Sequence, residues 1–278
     1  MIDLHCHSTF SDGSLTPEDL IQEAKRSGIT GLALTDHDTT AGVPRFIEAA
    51  SAVGIRPVAG VEISADFKGG TMHMLGYLID PAATLLNERL QWMRDGRETR
   101  NAEILKKLQA LGFSITWDEV ASYAGEDVVG RPHFAQALLA KGYVTDKNQA
   151  FDKYLGKGKA AYVDRCRLTA EDAVELIRSA GGVSVLAHPF TLNLGTEALD
   201  QLLGELRAKG LGGVETYYSE HTREMVESYL KLAVKHDLVP TGGSDFHGAL
   251  TPDIKLGRGF GSLKVPEDTI DRLETRRG

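Results

Sequence analysis

The sequence predicts an α/β barrel of about seven strand–helix units, with a helical subdomain inserted after the fourth strand. Three observations carry this. Short apolar runs of strand length recur at residues 1–4, 31–35, 57–61, 72–77, 183–187, 213–216 and 239–243. Helix start and stop signals separate most of them. Metal-binding side chains stand in, at or just past the ends of these runs, at His5, His7, His37, Glu62, His73, His188, Asp245 and His247. Ligands repeated at strand ends are the pattern of a barrel with its active site on the carboxyl face, so the chain reads as a metal-dependent enzyme.

The elements follow in order. After the first strand, Thr16-Pro17-Glu18-Asp19 supplies an N-cap, a proline for the first turn and acids beside the helix N-terminus, and Gly28 stops the helix. A second helix is predicted over 41–52 with Gly54 behind it, and a later one from Thr169 to Gly181. Two more, near 197–208 and 222–236, each precede an apolar run. Between residues 87 and 163 the strand rhythm stops and helical patterning covers 90–111, 117–123, 132–141 and 149–154. The division is therefore a barrel of residues 1–86 and 164–278 and an inserted lid or substrate subdomain of 87–163. Because the insertion follows the His73 strand directly, it is expected to leave from the ligand-bearing end.

A length of 278 residues suits one barrel of about 250 residues. Lys plus Arg number 31 against 39 Asp plus Glu, a formal charge of -8, which excludes a whole-molecule field that gathers nucleic acid. No stable DNA complex is expected, and an anionic substrate must be held by local cations or bound metals. Cys6 and Cys166 are too few for a disulfide framework. No run approaches the roughly 18 apolar residues of a membrane span, so the expectation is a cytoplasmic protein without a membrane partner.

His5 and His7 are spaced i, i+2, which on a strand sends both imidazoles to one face and Cys6 to the other. Asp245 and His247 repeat that spacing after Gly242-Gly243-Ser244, where glycines permit a close turn. Glu62 ends a small apolar run, and among several histidines its carboxylate can bridge two cations and offset their repulsion. His73 and His188 are lone histidines that gain weight from this company. Asp36 and Asp38 read equally as loop acids or as groups that orient His37.

In this order the motifs resemble the PHP family, the polymerase and histidinol phosphatase superfamily of metal-dependent phosphoesterases. The matching stretches are His5-Cys6-His7 with Asp12, Thr35-Asp36-His37-Asp38, Gly60-Val61-Glu62-Ile63, His73, Ala187-His188-Pro189 and Gly243-Ser244-Asp245-Phe246-His247. The resemblance implies a distorted seven-stranded barrel, (β/α)7, and two or three divalent cations, Mn2+ first and Zn2+, Fe2+ or Mg2+ as alternatives. It places His5, His7, Glu62 and Asp245 on one metal, Glu62, His73 and His188 on a second, and Asp12, His37 and His247 on a third. Asp12 stands where some relatives carry histidine, and a carboxylate favours harder cations such as manganese or magnesium over zinc.

Within that family, Gly130-Arg131-Pro132-His133-Phe134-Ala135 and Leu155-Gly156-Lys157-Gly158-Lys159 are similar to the nucleoside 3′,5′-bisphosphate phosphatases and related 5′-to-3′ exoribonucleases. The implied activity is metal-assisted phosphomonoester hydrolysis of a small nucleotide, with short 5′-phosphorylated RNA as a second substrate class. Arg131 can make a planar fork to phosphate, and His133 can donate to an anion or to the leaving oxygen. His133, His221 and a metal-bound water all stand as sources of the leaving-group proton. Tyr217, Tyr218 and His221 are candidates for contact with a nucleobase. Lys157 and Lys159 read first as a solvated loop. Histidinol-phosphate phosphatase and a noncatalytic metal-binding module are the alternatives.

Overall fold

The computed structural model describes residues 1–124, 129–164 and 167–277, so Cys166 lies outside the described residues. Seven strands form one sheet in chain order: β1 (Ile2–Asp3), β2 (Gly31–Leu34), β3 (Arg56–Ala65), β4 (Met72–Tyr77), β5 (Val183–Leu186), β6 (Gly213–Tyr218) and β7 (Val239–Gly243). The two ends of the sheet meet. Leu4 N–H donates to Gly242 O at 3.2 Å, Asp245 N–H to His5 O at 2.8 Å and His7 N–H to Phe246 O at 3.0 Å. Gly243 permits this seam, because a Cβ there would lie 2.2 Å from His5 N.

Alternation along the strands divides the core. Ala33, Val58, Leu75, Tyr77, Val183, Val185 and Val239 belong to one cluster, while Leu32 and Leu34 turn to a second, against α1 (Pro17–Arg26) and α2 (Val43–Val53). The predicted cap of α1 is present, with Asp19 N–H donating to Thr16 Oγ1 at 3.1 Å. Gly54 ends α2 at φ 76°, a left-handed position that glycine takes without steric cost.

The strand carrying His73 corrects the expected geometry. A turn of residues 66–71, with no crossover helix, joins β3 to β4, so β4 runs antiparallel to both neighbours, pairing Ala65 with Met72 and Tyr77 with Gly60. His73 therefore sits at the start of its strand. The chain leaves β4 at the end away from the ligands, and α3 (Thr84–Ala110) carries it back. This helix has 27 residues and is about 40 Å long. Its first half packs Leu86, Leu90 and Met93 against the barrel; its second half packs Ile104 and Leu108 into a separate cluster with Phe134, Leu138 and Leu155.

That second cluster gathers α3, α4 (Trp117–Ala121), α5 (Arg131–Ala140), α6 (Lys147–Ala150) and a π-helical turn over Phe151–Leu155. The alternation then resumes with α7 (Ala170–Ser179), α8 (Thr196–Lys209) and α9 (Arg223–Lys235). A further helix, α10 (Thr269–Arg276), was not among the predicted elements; its Ile270 and Leu273 pack with Ile2, Val239 and Val265. No helix among the described residues is long and apolar enough to cross a membrane.

Candidate active site

The nine side chains singled out as metal ligands converge at one end of the barrel. Ligand atoms of His5, His7, Glu62 and Asp245 lie within 4.8 Å of one another, as do those of His7, Asp12, His37 and His247, and those of His37, Glu62 and His73. Glu62 is central. Its Oε1 is 2.8 Å from His73 Nδ1 and 3.0 Å from His188 Nε2, and its Oε2 is 3.4 Å from both His5 Nε2 and His7 Nε2. His188 thus joins Glu62 and His73. The sets also share more members than the family pattern suggested, since His37 Nδ1 reaches Glu62 at 2.9 Å and His7 Nδ1 reaches Asp12 at 3.8 Å.

The donor set fits divalent cations. His5 Nε2, Asp12 Oδ1, His37 Nδ1 and Glu62 Oε2 are buried and have no hydrogen-bond partner; the 2.9 Å approach of His37 to Glu62 makes no hydrogen bond. Buried polar atoms left unsatisfied are costly. Here they are imidazole nitrogens and carboxylate oxygens facing one another, the ligands that zinc, manganese and iron accept. Burial opposes charge on each ring, yet Glu62 and Asp12 outweigh it at His37 and raise its pKa to about 9. Against the same opposition Asp12 and Asp245 raise His247 to about 10. Burial pushes the Glu62 carboxyl up, but His37, His73 and His5 hold it well below the usual carboxylate range.

A surrounding set of buried groups aims these ligands. Glu215 accepts from His5 Nδ1 at 2.9 Å and from His188 N–H at 2.7 Å, fixing His5 with Nε2 toward the cluster. Asp36 accepts from Ser8 N–H at 2.7 Å and from the Ser8 and Ser11 hydroxyls at 2.6 Å, tying down the loop between His7 and Asp12. Asp38 accepts from Ser64 N–H at 2.9 Å and pairs with Arg97. Asp3 accepts from Ser244 N–H at 2.8 Å beneath Asp245, and Tyr218 O–H donates to Asp245 Oδ2 at 2.7 Å. Glu215 was missed by the sequence reading, although a lone carboxylate in an apolar strand is the signature that marked Glu62.

A cleft of about 510 Å³ opens beside the cluster. Asp12, His37 and His73 line it together with Arg97, Arg100, Arg131, Arg167, Lys68 and Lys157. Arg131 lies over Phe151 and Tyr162, with ring centroids 6.0 and 5.7 Å away, and Nη1 donates to Leu155 O at 3.3 Å. Lys157 lines the cleft and Lys159 does not. His133 is buried at the start of α5.

The structure does not bring Tyr217 to the cleft. It packs on the cluster of Ile2 and Val239 and is near Arg272 and Asp268. The reason is a register shift in β6 between Glu215 and Tyr217, which turns Tyr218 toward Asp245 instead. His221 also lies outside the cleft lining, its Nδ1–H donating to Thr216 O at 2.9 Å among the rings of Phe190, Tyr218 and Tyr229.

Known proteins share this architecture. A 5′-3′ exoribonuclease of Haemophilus influenzae is 37% identical over 245 residues, covering 88% of this chain and 89% of the relative. A 3′,5′-nucleoside bisphosphate phosphatase of Chromobacterium violaceum is 37% identical over 247 residues, covering 88% of this chain and 87% of the relative. The crystal structure of a Bifidobacterium adolescentis protein, described by inference as a metal-dependent phosphoesterase, superposes with a TM-score of 0.87 at 33% identity, covering 100% of this chain and 96% of that one. With the family model for the PHP domain matching residues 3–231, the chain belongs to the PHP domain family.

Proposed function

We propose that this chain is a metal-dependent phosphomonoesterase that removes the 3′-phosphate of nucleoside 3′,5′-bisphosphates, with short 5′-phosphorylated oligoribonucleotides as a second substrate class. The observation that carries the reading is that one cleft joins Asp12, His37 and His73 to Arg97, Arg100, Arg131, Arg167, Lys68 and Lys157. A substrate with a phosphate at each end of a small sugar suits a cleft with ligand clusters at one end and cations along its walls. The relatives named as a bisphosphate phosphatase and an exoribonuclease support it. Histidinol phosphate is disfavoured, because its cationic amine would face this wall of arginines and lysines.

His5, His7, Glu62 and Asp245 would hold one cation, Glu62, His73 and His188 a second, and Asp12, His37 and His247 a third, with manganese as the ion and the cytoplasm as the setting. Bound cations would supply positive charge to the phosphate and a nucleophile generated from water. The chain's own contribution is orientation and charge. Glu215 and Asp36 hold His5 and the loop between His7 and Asp12 in place, and Arg131 neutralises charge that grows as the leaving oxygen departs. Residues 87–163, by supplying Arg97, Arg131 and Lys157, would choose the substrate.

The test is phosphate release from adenosine 3′,5′-bisphosphate by manganese-reconstituted protein, with Asp245→Ala as control. Release that Asp245→Ala abolishes, together with bound metal but without unfolding, supports the proposal. A metal-loaded wild type that releases nothing from this substrate but acts on histidinol phosphate, or on no phosphomonoester, overturns it.

A further inference from the structure

Tyr218 is by sequence a candidate for contact with a base, and the fold gives it another partner. It is 8% exposed, stands outside the cleft lining, and is seated among the rings of His188, Phe190 and His221 at centroid distances of 5.4, 5.7 and 5.1 Å. Its place follows from the register shift in β6. Glu215 pairs with Thr241 and Tyr217 with Gly242, which leaves Thr216 between them without a partner in the register. His221 takes up the Thr216 carbonyl, its Nδ1–H donating at 2.9 Å. The extra residue turns Tyr218 toward Asp245.

The two carboxylate oxygens of Asp245 face different ways. Oδ1 points into the ligand cluster, 3.0 Å from His7 Nε2 and 3.3 Å from His5 Nε2, while Oδ2 accepts from Tyr218 O–H at 2.7 Å. The backbone beneath is fixed as well. Asp245 sits at φ 56°, a left-handed conformation uncommon outside glycine, with its N–H donating to His5 O at 2.8 Å and the preceding Ser244 N–H donating to Asp3. Turning the carboxylate would break the Tyr218 bond. We infer that Tyr218 is a positioning residue: it confines Asp245 to one oxygen, Oδ1, on the cation held with His5, His7 and Glu62, and so sets which metal that site prefers. A carboxylate free at both oxygens can close on a larger, oxygen-preferring ion such as manganese, whereas zinc takes four ligands in a tetrahedral array. Holding Oδ2 away denies manganese that advantage. This inference rests on the metal reading of the cluster and is independent of the substrate.

The variant Tyr218→Phe removes one oxygen and keeps the ring that packs on His188, Phe190 and His221, so it should fold, which a melting curve checks. Zinc and manganese affinities of the metal-free protein are measured by competition with a chromogenic chelator. Zinc binding should weaken by about 10- to 100-fold, as for the loss of an orienting hydrogen bond, and manganese binding much less, so the manganese-to-zinc ratio rises by about tenfold or more. A tyrosine that only packs would affect both ions alike; equal losses, or none, overturn the inference. A crystal structure of manganese-loaded wild type tests it without the variant. Oδ1 alone on the ion with Oδ2 still on Tyr218 supports it, and both carboxylate oxygens, or the phenol oxygen itself, on the ion sinks it. Wild-type protein that binds neither metal overturns the metal reading and this inference together. Protein that shows the shift in ratio yet releases no phosphate from adenosine 3′,5′-bisphosphate upholds the role of Tyr218 and removes only the proposed substrate.

Discussion

The Glu215 carboxylate accepts from His5 Nδ1 at 2.9 Å and from His188 N–H at 2.7 Å, and the first of these bonds sets which imidazole nitrogen of His5 faces the cluster. Glu215→Gln keeps the shape and removes the charge, so His5 loses its fixed tautomer. Metal affinity should fall by about 10- to 100-fold, read by competition with a chromogenic chelator, while the chain stays folded. The protons on the ligands give a second expectation. His37 and His247 titrate at about 9 and about 10, so their ion pairs stabilise the metal-free chain fully below the ordinary imidazole value and are lost as pH rises through those values. A cation requires the bare nitrogen. Manganese should therefore bind more tightly as pH climbs from about 7 toward 9 and should release protons, measurable by calorimetry in two buffers of different ionisation heat. Binding without proton release would mean that these rings are already neutral.

At the level of the element, α3 grips the loop after β2 through two arginines. Arg94 Nη1 donates to Asp38 O at 2.8 Å, and the Arg97 guanidinium pairs with the buried Asp38 carboxylate next to His37. Breaking a buried pair from one side costs about 3 kcal/mol or more, so Arg97→Ala should lower stability by that amount in urea titration and raise KM, since Arg97 also lines the cleft. What sequence could disclose follows the range of the forces involved. The α1, α7 and α9 starts were legible because Thr16, Thr169 and Thr222 each accept from an amide three residues on. His5 with His7 and Asp245 with His247 were legible because strand alternation alone puts each pair on one face. The direction of β4 was not, since an apolar run reads the same for either orientation and the short turn at 66–71 decides it. The shift in β6 that turns Tyr218 inward depends on its pairing with β7. Arg97 and Arg100 look like a solvated helix face until the fold buries them.

Across the whole molecule, charge is divided against itself. The chain carries a formal -8, while six cations converge on the cleft beside the ligand carboxylates. An anionic substrate is repelled by most of the surface and attracted at one mouth, an arrangement whose reach shortens as salt shortens the Debye length from about 30 Å at 0.01 M to about 8 Å at 0.15 M. kcat/KM for a nucleotide bisphosphate should accordingly fall several-fold between 20 and 300 mM potassium chloride, measured at saturating metal, with kcat much less affected. A flat response would mean that the local cations act only at contact range. The unbroken run of α3 from the barrel to the second apolar cluster adds a constraint of phase. One residue added between Arg100 and Ile104 would rotate Ile104, Leu108 and everything packed on them by about 100° relative to the barrel mouth, carrying Arg131 off its bearing. Seven would nearly restore the angle but move that wall about 10 Å further out. Loops elsewhere can change length gradually; along this helix the width of the cleft can change only in steps of whole turns.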